Sequence, residues 1–200
     1  MHCTLHNNTL IAWSPKCGCS AILGSIYGYK HVDGKSFYRF HRRVFADRVF
    51  AVPAEAEEFI WYVRDPLARA LSCYLHRFIR TLRMEISFRE YCRNLDEMIR
   101  IDRVHVEPQT ANYLAAPWRV IDIATTRWPV KPPHLTHYTR DGERAADDRQ
   151  PIDADGVTFR RDLFFDEEIR ELLTRFYQAD LLVTGGNHAT VNNHDLQGQA

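Results

Sequence analysis

The sequence predicts an α/β fold with a central, mainly parallel sheet flanked by helices, and three stretches carry that expectation. Leu10–Trp13 is a short apolar run of buried-strand length; small residues follow, then Ile22, Leu23 and Ile26 at helical spacing. Phe59–Val63 is a second run rich in β-formers, followed by Arg64-Asp65-Pro66 and a helix with Leu67, Leu71, Tyr74, Leu75 and Phe78 on its apolar face. Pro66 suits the first turn of that helix, where its missing N–H costs nothing. Val120–Ala124 reads as a further strand.

Composition sets the bounds. Two hundred residues suit one domain with a full α/β core, read here as residues 1–184 with a polar tail over 185–200. Lys and Arg number 26 against 26 Asp and Glu, so no global basic field argues for nucleic acid or an anionic membrane. The ten histidines are scattered and not paired at metal-ligand spacing, and five cysteines do not suggest a closed disulfide framework. No metal is expected. Met1–Asn8 is polar and short, with neither a signal-peptide apolar region nor a membrane span. The expectation is a cytoplasmic protein without an integral membrane segment, or a trimmed chain; oligomeric state is left open.

Ser14–Ser20 is a turn of small residues around one lysine, Ser14-Pro15-Lys16-Cys17-Gly18-Cys19-Ser20, between a strand and a helix that starts near Ser20. Backbone amides at a helix N-terminus point at a ligand there, and the helix dipole favours negative charge. Lys16 adds a full positive charge, so the local reading is a phosphate loop. It is not the nucleotide-triphosphatase loop, which needs Gly-x4-Gly-Lys-[Ser/Thr], because here the lysine precedes the glycine. Cys17 and Cys19 are read as small-residue filler, with oxidation sensitivity as the alternative.

Pro15-Lys16-Cys17-Gly18-Cys19-Ser20 resembles the 5′-phosphosulfate loop of sulfotransferases that use 3′-phosphoadenosine-5′-phosphosulfate (PAPS). Val63-Arg64-Asp65-Pro66-Leu67-Ala68-Arg69-Ala70-Leu71-Ser72-Cys73-Tyr74 is similar to the same family's 3′-phosphate motif. There an Arg after the strand and a Ser in the following helix clamp the phosphate, and Arg64 and Ser72 match them. On the residues alone, Arg64 reads equally as an ion-pair partner of Asp65. Ser72 reads equally as a helix hydroxyl bonded to the preceding turn. The resemblance implies a three-layer P-loop-type fold, PAPS as co-substrate with Pro15 to Ala21, Arg64 and Ser72 as its contacts, and a hydroxyl acceptor, most simply a carbohydrate.

The rest of the chain is read in order. Phe37–Arg43 interleaves aromatic with basic residues, a nucleic-acid pattern that the neutral chain and the lack of a repeat disfavour. In the resembling family a histidine lies in this interval near the acceptor hydroxyl, which makes His41 the candidate general base and His31 its rival. Pro53–Glu58 is an acidic turn or short helix; the helix after Pro66 runs to about Arg80, with Arg77, Arg80 and Arg83 as surface cations or an acceptor contact. Ser87-Phe88-Arg89-Glu90 is a capping box that starts a helix through Asn94, and Leu95–Ile101 is another helical segment. Asp102–Thr110 reads as a loop, yet it resembles a His-x-x-Pro-Gln segment of the carbohydrate branch. That resemblance makes His105 the fallback base and Gln109 an acceptor contact.

Pro132-Pro133-His134-Leu135 is similar to a Pro-His-Leu-Asn stretch of the same branch, with Thr136 in place of the asparagine. Residues 141–156 are polar and aperiodic, expected as a mobile loop. Asp166 caps a last helix with Ile169, Leu172, Leu173 and Phe176 on its apolar stripe, and the Tyr177–Asp180 pattern resembles the family's C-terminal helix. The implied reaction moves a sulfuryl group from PAPS to a hydroxyl, leaving 3′-phosphoadenosine-5′-phosphate (PAP). Lys16 stabilises the leaving phosphate, and a histidine takes the acceptor proton. The alternatives are a P-loop kinase or other nucleotide enzyme, and a non-catalytic PAP-binding module.

Overall fold

The computed structural model describes residues 1–19, 22, 48–123, 151–154, 157–160 and 164–185. Its elements begin with strands β1 (His2–His6), β2 (Thr9–Trp13) and β3 (Glu58–Val63), then helix α1 (Pro66–Cys73), which continues as a π-helical stretch over Tyr74–Thr81. Helices α2 (Phe88–Arg93) and α3 (Leu95–Val106) follow, then β4 (Arg119–Asp122), β5 (Pro151–Ala154), β6 (Val157–Arg160), α4 (Glu167–Phe176) and α5 (Gln178–Gly185). The chain divides into two compact units. The first takes Met1–Asp65, Pro108–Pro133 and Ala179–Ala200; the second takes Pro66–Glu107 and His134–Gln178.

The first unit is α/β, built on an open four-stranded sheet in the order β1-β2-β3-β4. β2 pairs parallel with β3 and β3 parallel with β4, so the sheet is mostly parallel, and β1 adds an antiparallel edge. Central parallel strands are covered on both faces and read as unbroken apolar runs, which is why Leu10 to Trp13 are all buried. Leu10, Ala12, Trp61, Val63, Trp118 and, from α5, Val183 form one core cluster. β1 was not expected from its polar composition. Its signal is the Asn7-Asn8 pair, whose φ values of 47° and 60° fit the two-residue hairpin turn that matches strand twist.

The second unit is helical, with the β5–β6 hairpin. Its core gathers Leu71, Tyr74 and Phe78 with Phe88, Tyr91, Leu95, Met98, Val106, Ile169, Leu173 and Tyr177. The predicted capping box closes in both directions, Ser87 accepting from the Glu90 N–H while Glu90 accepts from the Ser87 N–H. Asp166 caps α4 by accepting from the Ile169 N–H at 3.0 Å. Two expectations need correction. Residues 103–106 are not loop; they extend α3 beyond a kink at Asp102, where φ is −148° and ψ is 76°. Residues 151–154, expected within a mobile loop, form β5 because Val157–Arg160 offers a complete antiparallel partner. Residues 141–150, like Pro132–Leu135, lie outside the described residues.

Candidate functional site

In the first unit β2 and β3 run parallel in register, Ala12 opposite Trp61, so the segments after both strands leave the same edge of the sheet. Ligands of open α/β sheets bind beyond such carboxyl ends. After β2 the backbone turns at once: the Cys17 N–H donates to the Ser14 carbonyl at 3.1 Å, closing a four-residue turn over Pro15 and Lys16. Proline fixes the first central φ and Lys16 has φ 67°, the combination of a type II turn, whose second central position favours glycine. A lysine there carries strain of about 1–2 kcal/mol. Gly18, at φ 70°, takes the second left-handed position at no such cost. Cys19 and Ile22 are helical, and the Ile22 N–H donates to the Gly18 carbonyl at 3.0 Å. Loops in which left-handed residues alternate with others can form nest-like anion sites, although here the Cys17 N–H is already taken by the Ser14 carbonyl.

Arg64 follows β3, half-buried, and its Nη1 donates to the Lys16 carbonyl at 3.0 Å. The two cationic positions of the sequence motifs therefore meet, through the Arg64 guanidinium and the Lys16 backbone. Cys17 is fully buried, and its thiol donates to Gln109 Oε1 at 2.8 Å, so it anchors the loop and is not filler. The same Oε1 accepts from the Arg64 N–H at 3.0 Å, while Gln109 Nε2 donates to the Arg64 carbonyl at 2.8 Å. One side-chain amide thus pairs with the backbone of Arg64 as a neighbouring strand would. Gln109 is 1% exposed, which overturns its reading as an acceptor contact.

Behind Gln109 lies Asp180 of α5, also 1% exposed. It accepts from the Gln109 N–H at 2.7 Å, the Thr110 N–H at 2.8 Å and the Thr110 hydroxyl at 2.9 Å. A buried carboxylate is tolerated when donors surround it in this way. Ser14 is the other residue that sequence reasoning passed over. Its hydroxyl is buried and has no hydrogen-bond partner among the described residues, although buried polar groups are nearly always paired. Placed at the start of the turn, it leaves hydrogen-bonding capacity for an anion oxygen.

Ser72 lies half-buried in α1 of the second unit. His105 lies on α3 of that unit, its Nδ1 2.9 Å from Asp102 Oδ1, and Arg77 pairs with the same carboxylate through Nε. A carboxylate on Nδ1 fixes a histidine's tautomer and leaves Nε2 to accept a proton. Arg69, 1% exposed, donates to the carbonyls of Glu107 and His105 at the end of α3, where a helix dipole favours positive charge. Burial opposes ionisation of Asp102, but the hydrogen bond and charge of His105, then those of Arg77, outweigh it and hold the carboxyl at about 2 instead of 3.8. A carboxyl depressed on folding contributes stability above its unfolded pKa and loses it as the group protonates. Stability is therefore expected to fall as pH drops from about 4 toward 2, and Asp102→Asn should flatten that part of the curve. Urea denaturation at a series of pH values checks this.

Pro15 to Gly18 form the turn and Cys19 follows it, whereas Ser20, Ala21, His31 and His41 lie outside the described residues. Among the described residues no group of three or more His, Cys, Asp and Glu stands together as a metal site. Among the same residues no helix is long and apolar enough to cross a membrane. Compared with protein-family models, curated proteins and solved structures, the chain gives no match in any of the three.

Proposed function

We propose that this chain is a sulfotransferase that moves the sulfuryl group of PAPS to a hydroxyl acceptor, a carbohydrate being the simplest case, with PAP and a sulfate ester as products. The observation that carries the reading is the direct bond from Arg64 to the Lys16 carbonyl at the carboxyl ends of two adjacent parallel strands. A nucleotide with phosphates on both its 5′ and 3′ positions needs two cationic grips, and these strand ends supply them. The strained Lys16, the tight turn and the Ser14 hydroxyl, which has no partner among the described residues, suit the anionic end of such a ligand. The three-layer P-loop-type architecture belongs to the same proposal, as does the cytoplasmic location.

In this reading PAPS supplies the group transferred. Lys16 and the loop amides stabilise the charge that grows on the bridging phosphate oxygen, and Ser20 adds a hydroxyl bond to the 5′-phosphate. Arg64, a permanent fork-shaped cation, binds the 3′-phosphate. A histidine takes the acceptor proton as the new S–O bond forms and the old one breaks; His41 is the first candidate and His105, already oriented by Asp102, the second. Calorimetry with PAP and ATP tests the reading. PAP is expected to bind at least about tenfold more tightly, because ATP lacks the 3′-phosphate, and Arg64→Ala should weaken PAP about 10- to 100-fold. Equal affinities for PAP and ATP would favour the kinase alternative. Tight PAP binding without sulfation of any acceptor in a screen with labelled PAPS would favour the non-catalytic module.

A further inference from the structure

The carboxamide of Gln109 and the carboxylate of Asp180 make no contact that the proposed chemistry uses, yet both are buried and bonded to several partners. Gln109 Oε1 is shared by the Cys17 thiol at 2.8 Å and the Arg64 N–H at 3.0 Å, and Nε2 returns to the Arg64 carbonyl at 2.8 Å. Arg64 Nη1 then reaches the Lys16 carbonyl at 3.0 Å. These bonds close a ring: Lys16 to Cys17 along the chain, Cys17 to Gln109, Gln109 to Arg64, and Arg64 back to Lys16. Asp180 fixes the ring from behind, receiving the Gln109 backbone N–H at 2.7 Å.

We propose that Gln109 is a positioning residue for nucleotide binding, oriented by Asp180, which sets where the Arg64 guanidinium stands relative to the Lys16 turn; this rests on the PAPS reading above. The two sheet strands end at Trp13 and Val63, and beyond them no strand pairing holds the Lys16 turn against Arg64. Gln109 supplies the missing pairing with a side chain. Its amide has both a donor and an acceptor on one plane, so it satisfies the N–H and the C=O of one residue together. A ligand gripped at two points loses affinity when either grip is displaced by about 1 Å, and supporting residues around a binding site typically matter by 10- to 100-fold.

Gln109→Met keeps the length of the side chain and removes every hydrogen bond the amide makes. It is expected to weaken PAP about tenfold or more by calorimetry at a temperature where the variant is folded, and Asp180→Asn should act in the same direction with a smaller effect. Leu173→Ala, a core truncation in the second unit, should lower stability without changing PAP affinity per folded molecule. Combined with Arg64→Ala, the Gln109 change should cost clearly less than the product of the two single losses, since it acts largely through Arg64. Wild-type affinity in both Gln109→Met and Asp180→Asn, or a full product in the double variant, would overturn the inference and leave the PAPS reading standing. Failure of the unaltered protein to bind PAP would overturn both.

Discussion

If the chain is the sulfotransferase proposed above, Lys16→Ala is expected to cut turnover by about 100- to 1000-fold while changing PAP affinity by less than about tenfold, because the charge this lysine would meet grows during reaction. Lys16→Gly separates chemistry from structure. Lys16 holds φ 67°, which costs an L-residue roughly 1–2 kcal/mol, and glycine gives back part of that gain by freeing the unfolded chain. The glycine variant should therefore be about 0.5–1 kcal/mol more stable than wild type and as inactive as the alanine variant. Steady-state rates with labelled PAPS and denaturation midpoints measure the two quantities independently. If Lys16→Gly were both less stable and fully active, neither the turn nor the charge would have the role assigned to it.

Asp180→Ala is expected to destabilise the first unit by roughly 3–5 kcal/mol, a large share of the 5–15 kcal/mol typical of a domain. The carboxylate is nearly inaccessible and receives the N–H groups of Gln109 and Thr110 as well as the Thr110 hydroxyl. Alanine would leave those donors buried without acceptors, each costing about 1–3 kcal/mol. Asparagine keeps one acceptor oxygen and should cost less than half as much. Chemical denaturation of both variants tests the ranking, and a loss below about 1 kcal/mol for alanine would mean that water replaces the carboxylate without penalty.

The strands and helices that carry apolar runs were legible in the sequence. Leu10–Trp13, Phe59–Val63 and the stripe of α4 declare themselves, because burial selects the same residue types that propensity favours. The turn at Lys16 was legible too, through proline, glycine and a lone cation. What escaped depends on partners distant in the chain. Gln109 lies 92 residues from Cys17 and 45 from Arg64, and a glutamine after a proline carries no mark of such a bridge. Asp180 had one faint signal, an acid inside the apolar segment Gln178–Gly185. The register that makes β5 a strand depends equally on its hairpin partner. The π-helical widening over Tyr74–Thr81 has no sequence mark that we can identify.

The distribution of aromatic residues has an optical consequence. All four tryptophans of the sequence, at 13, 61, 118 and 128, fall within the residue ranges of the first unit, and Trp13, Trp61 and Trp118 are buried there. The second unit holds α1 to α4 and only phenylalanine, tyrosine and histidine rings. Indole emission is thus a reporter of the first unit, whereas far-ultraviolet circular dichroism is weighted toward the helices. Superimposed melting curves from the two signals would mean that both units unfold in a single cooperative step; curves offset in temperature would mean that each melts by itself.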